Sequence, residues 1–556
     1  MKWFKLLASG FGALSVGSAS ILVLDEKNII DLTDYPVGRA ARTGITLASI
    51  IVDYKYALFG LDKETNEYET AKSKAHARSA KKMFNLCWKN RGTYIKVGQH
   101  LGAMDYLLPP EYTTAFKVLH SNAPQSSLEE IEQVIKEDLK VNSLSDVFEE
   151  FSPKPLGTAS LAQVHKATLK SGGSNVAVKV QHPRVRDLSD KDMNMMDNAL
   201  EWVQYCFPEF DLMWLGIETR NNLPLELDFT VEARNCKQAK ENLKCFDWVK
   251  IPKIYDNLST SRVLVMEFME GGQVNDMKFF KEQKIDFNNV SSMLGKLFSE
   301  MIFVQGFVHC DPHPGNILIR RRKSNSSWFS FKSELELVLL DHGLYRRLSE
   351  DFRYHYANLW QAIINKDLKG IEKHSRELGS GEMYPLLTTI VTGRAWKVVG
   401  DQGIKNVALT KEEDDEIRDN AGVFLPHISQ VLNRVPSEML LVLKANDHLR
   451  GLEHMYGVRG HLSGFLDMSR CCLRALRELK VNRTRKLESG ISLQWSILEH
   501  TLTLYIGLFK LLAYEWYLWF QEVRKTKRKS SRQNHQVTET TDSTMTGNAF
   551  VLKVPG

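Results

Sequence analysis

The sequence predicts an α+β protein with two lobes, in which a small sheet-containing N-terminal lobe precedes a helical C-terminal lobe. Short apolar runs predict strands at 164–169 and 176–181 around a Gly172–Gly173 turn, and another strand at 263–268. From residue 288 onward, helical patterns dominate. The motifs that carry chemistry fall between these two parts, as a cleft between two lobes would require.

A length of 556 residues corresponds to about three or four domains of ordinary size. We expect six successive segments along the chain: a targeting or membrane-anchor segment at 1–36, a helical N-terminal extension at 37–149, the N-terminal lobe at 150–270, the C-terminal lobe at 271–475, an apolar and aromatic helix with a basic run at 476–532, and a disordered tail at 533–556.

The net charge of +6 is concentrated at the two ends of the chain. Residues 1–24 carry +2 and residues 521–556 carry +4, so the remainder is neutral. A neutral body argues against a nucleic-acid partner, and basic ends favour an anionic surface such as a membrane.

Apolar residues at 43% exclude wholesale disorder and a polytopic membrane protein. The seven cysteines include no C-x-x-C pair, which favours reduced thiols over disulfides or a zinc site.

Each end of the chain carries an apolar stretch that fits more than one kind of structure. Leu6–Leu24 has 19 uncharged residues and fits a mitochondrial presequence with a membrane anchor, a secretory signal or a buried helix. Leu502–Phe520 is rich in Tyr and Trp, and the basic run Arg524–Arg532 follows it. This second stretch fits a helix at a membrane interface, a helix docked on the domain, or a spanning helix.

Helical patterns also precede and interrupt the predicted strands. Residues 70–90 predict a basic amphipathic helix, and 126–150 predict a helix that begins at Ser126 or Ser127. A further helix is predicted at 226–243. Glu232 on this helix is the candidate partner of a strand lysine, Lys179, at the end of the sequence Val-Ala-Val-Lys.

Four chemical features follow in a fixed order along the chain. The first is a loop of small residues, whose backbone can approach phosphates; its candidate nucleotide-binding residues are Leu156, Gly157, Thr158, Ala159, Ser160 and Val164. The second is Lys179, a cation that can hold the α- and β-phosphates of a nucleotide if Glu232 orients it. Each of these two features is weak alone, because such loops and strand-edge lysines are common.

The third feature, His309-Cys310-Asp311-Pro312-His313-Pro314-Gly315-Asn316, is specific. Its H-x-D-x₄-N spacing places the Asp311 carboxylate against an attacking hydroxyl and the Asn316 amide oxygen on Mg²⁺. A metal site built from His309 and His313 is the rival interpretation, but no third ligand follows at a suitable spacing.

The fourth feature is an apolar strand that ends in Asp341-His342-Gly343, where Asp341 can bind Mg²⁺ between nucleotide phosphates. Strands are predicted at 317–320 and 335–340, with a polar hairpin tip at 321–332 between them. Chance explains each feature but not the ordered set, which predicts a protein-kinase-like fold that binds ATP and Mg²⁺. Asp311 would be the catalytic base, and the backbone at Glu267–Met269 would hold adenine.

Two further motifs narrow the family. Lys96-Val97-Gly98-Gln99 precedes the kinase-like core, and Glu226-Leu227-Asp228 precedes Glu232. With the loop PLGTASLAQVH and the sequence HCDPHPGNIL, they resemble the UbiB family of atypical kinases, also called the aarF-domain-containing kinases, and within it a metazoan branch. The resemblance covers residues 37–475.

The resemblance implies a regulatory group around the K-x-G-Q segment, which consists of Lys96, Gly98, Gln99, Glu226 and Asp228. Lys96 would pair with Glu226 and Asp228, and the segment would block peptide access to the cleft. The resemblance also implies a mitochondrial, membrane-associated protein of lipid or isoprenoid-quinone homeostasis, with mitochondrial membrane lipids and membrane proteins as partners. The family is better known for ATP binding and ATPase activity than for protein phosphorylation.

Departures from common kinase patterns leave the activity open. No Ala-Pro-Glu motif follows Asp341, and His342 replaces the usual Phe of Asp-Phe-Gly. Gly157-Thr158-Ala159-Ser160 replaces the family's more common Ala-Ala-Ala-Ser. The alternatives are an ATP·Mg²⁺-dependent phosphotransferase or ATPase, a nucleotide-regulated scaffold of a mitochondrial membrane, and a small-molecule kinase. The K-x-G-Q motif argues against the third.

Overall fold

The structure is a computed structural model of the chain. It describes residues 35–545 except 103, 105–107, 122, 209–212, 323–333, 458–461 and, within 395–433, all but 396, 399 and 431. The apolar stretch Leu6–Leu24 and nearly all of the predicted hairpin tip therefore lie outside the described residues. The chain divides into two compact units, Met1–His461 and Leu462–Gly556.

The first unit begins with five described helices. They are α1 (Pro36–Ala57), α2 (Asn66–Asn90), α3 (Thr93–Gly102), α4 (Pro110–Ser121) and α5 (Leu128–Leu139). The predicted helix at 70–90 is confirmed as part of α2. The K-x-G-Q motif lies within α3, which packs against α2 and α4.

The predicted helix at 126–150 is wrong in its second half. Ser127 caps α5 in a reciprocal capping box with Glu130, as its sequence predicts, but the helix ends at Lys140 with a left-handed φ of 55°. A short 3₁₀ turn and strand β1 (Phe148–Phe151) follow. Helical spacing continues across this region, but Phe148 is buried as part of the sheet core, so tertiary packing overrides the local pattern.

The N-terminal lobe contains a five-stranded antiparallel sheet. Its other strands are β2 (Gly157–Thr158), β3 (Ala162–Leu169), β4 (Asn175–Gln181) and β6 (Val263–Glu267), in the order β1-β3-β4-β6 with β2 beside β3. The turn between β3 and β4 uses positive φ at Gly172 and Gly173, 89° and 62°. This part of the prediction is confirmed.

Alternation along β4 gives the sheet two different faces. Val176, Val178 and Val180 are fully buried against Ile131 and Ile135 of α5. Because successive strand residues point to opposite faces, Lys179 points to the other face. On that face Lys179 contacts the carboxylates of Glu232 and Asp341.

In the described residues, three α-helices lie between β4 and β6: α6 (Val185–Cys206), α7 (Met213–Glu226) and α8 (Phe229–Asn242). The sequence predicts only one helix in this region, at 226–243. The structure breaks it after Glu226, because Asp228 Oδ1 accepts hydrogen bonds from the backbone N–H and hydroxyl of Thr230 and so caps α8. The short strand β5 (Val249–Lys250) follows α8.

The C-terminal lobe combines short strands with helices. Strands β7 (Gly272–Gln273), β9 (Ile317–Arg321), β10 (Leu335–Leu339) and β5 form a second sheet, and β8 (Phe307–His309) pairs with β11 (Tyr345–Arg347). The described helices are α9 (Met277–Glu282), α10 (Phe287–Ser299) with a π-helical turn at Glu300–Gln305, α11 (Glu350–Asn365), α12 (Leu368–Glu377), α13 (Tyr384–Thr392) and α14 (Ser437–Tyr456).

The second unit contains α15 (Leu462–Leu487) and α16 (Gly490–Met545). The stretch Gly490–Tyr517 is long and apolar enough to cross a membrane, and none of its most apolar window is buried. The helix continues to Met545, so the structure is helical over 533–545, where the composition of the sequence predicts disorder. No proline interrupts 490–545, which removes the strongest local reason for the helix to end. Residues 546–556 lie outside the described part.

Candidate active site

Lys179 connects two carboxylates at the base of the cleft. Its Nζ donates to both carboxylate oxygens of Glu232, at 3.0 and 2.9 Å, and to Asp341 Oδ1 at 3.1 Å. β4 supplies the lysine, α8 supplies Glu232, and the segment after β10 supplies Asp341. The predicted partnership of Lys179 with Glu232 is therefore present in the structure.

The ion pairs determine the charge states of Lys179 and Asp341, whereas burial raises the pKa of Glu232 to about 7. Burial alone would lower the pKa of Lys179, but the Asp341 and Glu232 carboxylates outweigh it and raise that pKa. Burial raises the pKa of the Asp341 carboxyl, but the nearby Lys179 ammonium overcomes this and the net pKa is lowered. Only 4% of the Glu232 side chain is exposed against 40% of the Asp341 side chain. Asp341 thus presents an ionised carboxylate to the cleft, while Glu232 holds the lysine from behind.

Asp341 adopts a backbone conformation that most residues avoid. Its φ is 53°, in the left-handed region, and its Oδ1 accepts a hydrogen bond from Gly343 N at 3.3 Å. The neighbouring His342 is buried, donates from Nε2 to Leu339 O and accepts at Nδ1 from Tyr345 Oη. Strained conformations of this kind are maintained at functional sites by their surroundings. His342 therefore supports the turn that aims the Asp341 carboxylate.

The loop that carries Asp311 and Asn316 is held by hydrogen bonds of its own. Asp311 N donates to His309 Nδ1 at 3.2 Å, and His309 Nε2 donates to Leu340 O at 3.2 Å. Asn316 Nδ2 donates to Asp311 O at 3.0 Å. His309 is thus occupied by two backbone groups and ties the Asp311 loop to the strand before Asp341.

Lys444 is a site residue that no motif in the sequence predicts. It lies on α14, and its Nζ donates to Asp311 Oδ1 at 3.1 Å. Burial would raise the pKa of Asp311, but Lys444, Lys96 and two nearby histidines hold it well below its usual range. No motif surrounds Lys444, and it is 133 residues from Asp311 in the sequence, so no local signal could have identified it.

The predicted nucleotide loop contains an unsatisfied polar atom. Thr158 Oγ1 is buried without a hydrogen-bond partner in the described part of the chain. β2 and β3 place this residue opposite Gln163, with Gly157 opposite Val164. The loop itself is closed by a hydrogen bond from Ala159 N to Ala162 O at 2.8 Å. A buried hydroxyl without a partner suits a ligand oxygen, so this loop fits a phosphate.

The segment after β6 fits the predicted adenine site in part. Met269 packs with Leu318 and Val338 in a small buried apolar cluster, which supplies a floor for a flat ring. Glu267 N, however, donates to Lys253 O at 2.8 Å, so its N–H group is not available to adenine. The carbonyl oxygen of Glu267 and the backbone of Met269 stay the predicted contacts to adenine.

The acidic and amide groups fit magnesium that is shared with a nucleotide. Asp341 supplies a carboxylate, and the Asn316 amide donates through Nδ2, which leaves its Oδ1 as a ligand. No group of three or more His, Cys, Asp and Glu residues suited to a metal occurs in the described residues. Mg²⁺ is commonly held by one or two protein oxygens together with substrate phosphates, so this sparse set is sufficient.

The K-x-G-Q segment adjoins this site. Lys96 Nζ pairs with Glu226 Oε2 at 2.5 Å, and both side chains are only 11% exposed. Gln99 Nε2 donates to Leu119 O at 3.0 Å and fastens α3 to the end of α4. Asp228, the second predicted partner of Lys96, caps α8 instead. The Lys96 charge helps to lower the pKa of both Asp311 and Asp341.

A strand lysine paired with a helix carboxylate, placed above an Asp-x₄-Asn loop and an Asp-x-Gly turn, is the arrangement of protein kinases. The fold and the site therefore define a kinase-like protein. Residues 118–375 match the ABC1 atypical kinase-like domain. The chain belongs to this ABC1, or AarF, family, and the sequence-based assignment to the UbiB/aarF kinases is confirmed.

Relatives match along nearly the whole chain. AarF domain-containing protein kinase 1 of Mus musculus is 48% identical over 504 residues, which cover 89% of this chain and 94% of the mouse protein. AarF domain-containing kinase 1 of Drosophila melanogaster is 44% identical over 513 residues, which cover 92% of this chain and 96% of the fly protein. Among solved structures, the complex of Rv3197 with erythromycin from Mycobacterium tuberculosis has a TM-score of 0.41 at 17% identity, with 69% of this chain and 97% of that chain covered.

Proposed function

We propose that the chain binds ATP with Mg²⁺ and transfers the terminal phosphoryl group to a small or lipidic acceptor or to water. The observation that carries this proposal is the Lys179 ammonium held between Glu232 and Asp341. In this arrangement Lys179 would orient the α- and β-phosphates, and Asn316 and Asp341 would hold the metal ion, which neutralises charge on the phosphates. Asp311 would accept the proton of the attacking hydroxyl.

The K-x-G-Q segment supports a non-peptide acceptor. Its lysine is fixed by Glu226 beside the catalytic carboxylates, where a peptide hydroxyl would have to approach. We propose that this segment blocks peptide access to Asp311, with Gly98 and Gln99 packing it against α4. A smaller acceptor, or water, would not need the segment to move.

Phosphate release and phosphoryl transfer from ATP test the activity directly. The full chain in phospholipid nanodiscs should turn over ATP only with Mg²⁺, and Asp311→Asn should lower turnover by about 10²–10⁴-fold while ATP still binds. Asp190→Asn, an exposed position on α6, is the matched control and should leave turnover unchanged. ATP binding without any turnover in the unmutated protein would instead favour a nucleotide-regulated scaffold that maintains a mitochondrial membrane.

We further propose that the chain is associated with a mitochondrial membrane and acts in lipid or quinone homeostasis. The support on the structural side is α16, whose stretch Gly490–Tyr517 exposes Trp495, Phe509 and Trp516 at 68%, 70% and 63%. Aromatic side chains of this kind suit the interfacial region of a bilayer. Because the segment at 1–36 is also expected to anchor the chain, the measurement must report on α16 itself. In isolated mitochondrial membranes, a photoreactive probe confined to the lipid should label α16, Phe509→Ser/Trp516→Ser should reduce that labelling several-fold, and Thr503→Ser should not. Equal labelling of α16 in both variants would contradict this role of α16.

A further inference from the structure

A cavity lies away from the candidate nucleotide site, among the helices of the extension and of the N-terminal lobe. Its volume is about 250 Å³. Helices α1, α2, α3, α6 and α7 supply its walls, for example through Ile50, Leu86, Leu101, Met196, Val203 and Leu215. None of the residues placed in the nucleotide site lines it.

This cavity is partly open to the protein surface, and its size is unusual for a gap between packed helices. Protein interiors are packed as closely as organic crystals and leave few voids larger than a water molecule. An apolar cavity of about 150 Å³ is enough to hold benzene and stays free of water. A cavity of about 250 Å³ with apolar walls therefore has room for a larger hydrocarbon group.

Most of the polar groups around the cavity are already satisfied. Thr43 Oγ1 bonds with Arg39 O and Tyr94 Oη, at 2.8 and 2.7 Å. Thr219 Oγ1 donates to Leu215 O at 2.8 Å, one turn earlier in the same helix. Because these hydroxyls already have partners, they offer little to ordered water, and the walls favour an apolar occupant.

One end of the cavity differs, because three polar rings meet there. Tyr54 Oη lies 2.5 Å from His76 Nδ1 and 2.8 Å from Tyr112 Oη. Burial raises the pKa of both tyrosines and lowers the pKa of His76, so the three rings are neutral near pH 7. A tyrosine hydroxyl can donate one hydrogen bond and accept two, so the Tyr54 and Tyr112 hydroxyls keep the capacity to bond one further hydroxyl group. That end suits a neutral hydroxyl group and disfavours a charged one.

The helices that line the cavity also expose large apolar side chains next to lining residues. Val52 on α1, Trp202 on α6 and Ile217 on α7 are 58%, 49% and 60% exposed. Each is adjacent in sequence to a residue of the cavity wall, namely Ile51, Val203 and Gly216. An apolar surface beside an apolar cavity favours a ligand that is delivered from a bilayer and not from water.

We propose that this cavity binds the hydrocarbon part of a neutral membrane lipid that carries a hydroxyl group, with the hydroxyl held by Tyr54, Tyr112 and His76. The proposal goes beyond the nucleotide chemistry and does not depend on it, since the two sites share none of the residues named for catalysis. Its test therefore needs a readout other than ATP turnover.

Photocrosslinking in a bilayer provides that readout. The full chain in phosphatidylcholine nanodiscs is irradiated with a dodecanol that carries a diazirine in its chain, and labelled peptides are identified by mass spectrometry. We expect labels on α1, α2 and α6. Ala199→Phe, which fills the cavity from α6, should reduce this labelling several-fold, whereas Ala77→Phe on the exposed face of α2 should not.

A matched dodecane probe separates recognition of the hydroxyl group from simple partition into an apolar space. The unmutated chain should be labelled more strongly by the alcohol than by the alkane, and Tyr54→Phe should remove this preference while the thermal unfolding midpoint shows that the chain is still folded. Labels confined to α16, or labelling of α1, α2 and α6 that Ala199→Phe leaves unchanged, would overturn the proposal. Equal labelling by the two probes would overturn the role of the three polar rings.

Discussion

Lys444 Nζ lies 3.1 Å from Asp311 Oδ1, so a helix of the C-terminal lobe supplies a cation to the candidate catalytic base. Both side chains are largely buried, at 18% and 28% exposure. Asn316 Nδ2 approaches the other carboxylate oxygen at 3.4 Å. A cation at this place compensates the buried carboxylate and would also stabilise negative charge on a phosphoryl group in transit.

Replacing this cation should move the acidic limb of the pH–rate profile. Lys444→Met removes the largest influence that lowers the pKa of Asp311, so burial should then raise that pKa. Asp311 must be ionised to act as a base, and it would now become protonated at a higher pH. We expect turnover to fall by about 10–10³-fold and the acidic limb to move to higher pH, measured as ATP hydrolysis between pH 4 and 9.

Two variants control for loss of structure at this position. Lys444→Arg keeps the cation and should keep the acidic limb close to its original pH. Lys281→Met, at an exposed site on α9, should leave the whole profile unchanged. An unmoved acidic limb in a folded Lys444→Met protein would show that this lysine does not set the protonation of Asp311.

Lys444 also shows where prediction from the sequence stops. Lys179, Glu232, Asp311 and Asp341 lie in short motifs whose order predicts the kinase-like cleft, and the structure brings them together as expected. Lys444 acts from a helix with no motif of its own, and only the tertiary fold brings it to Asp311. Contacts of this kind depend on how helices pack, and that information is distributed over the whole core.

The helices α6 and α7 are likewise features of the fold that the sequence does not predict. The strands of the N-terminal lobe are predictable because alternation of apolar residues and a Gly-Gly turn are local signals. The packing of α1 and α3 against α6 is not predictable in this way. Asp228 is a further example, since an acidic residue near a lysine motif suggests an ion pair, while its position before Thr230 makes it a helix cap.

Breaking the Lys96–Glu226 pair should test the proposed block of peptide access. Lys96→Ala leaves Glu226 as a buried charge without its ammonium partner, which costs about 3–5 kcal/mol in similar buried pairs. We expect a lower unfolding midpoint together with increased autophosphorylation, measured by transfer of labelled phosphate to the chain itself. The double variant Lys96→Met/Glu226→Leu removes both charges and should recover most of the stability.

The pair of Arg78 and Asp53, whose arginine side chain is 48% exposed, is the matched control. Arg78→Ala should change stability by only about 0–1 kcal/mol, because exposed ion pairs contribute little. It should leave autophosphorylation unchanged. No increase in autophosphorylation in Lys96→Ala or in the double variant, with both proteins folded, would contradict the block.

Gly98 should be intolerant of even one added methyl group. A Cβ atom at this position would lie 2.5 Å from Leu119 Cδ1 and 3.2 Å from Phe116 Cδ1, both on α4. Gly98→Ala should therefore push α3 from α4 and lower the free energy of unfolding by about 1–3 kcal/mol, measured by urea titration.

A second helical glycine gives the opposite expectation. Nothing lies within 4 Å of a Cβ atom placed at Gly44 on α1. Gly44→Ala should raise stability by up to about 1 kcal/mol, because alanine favours the helix. Equal effects of the two substitutions would show that packing against α4 does not explain the glycine of the K-x-G-Q motif.

His342 should make the protein sensitive to acid. Burial lowers its pKa to about 3, whereas an unfolded histidine titrates near 6.5. Between these values the unfolded chain binds the extra proton, so stability should fall as pH decreases below about 6.5, by about 1.4 kcal/mol per pH unit for this one group. His342→Phe removes that contribution, but it also leaves Leu339 O and Tyr345 Oη without their partner, which costs about 1–3 kcal/mol. The variant should thus be less stable at pH 7.5, and the difference should shrink or reverse at pH 5, as measured by urea unfolding at both pH values.

His454→Phe, at an exposed position on α14, should show the same pH dependence as the unmutated chain. A His342→Phe deficit that is the same at both pH values would show that this histidine is not the buried neutral group that supports Asp341.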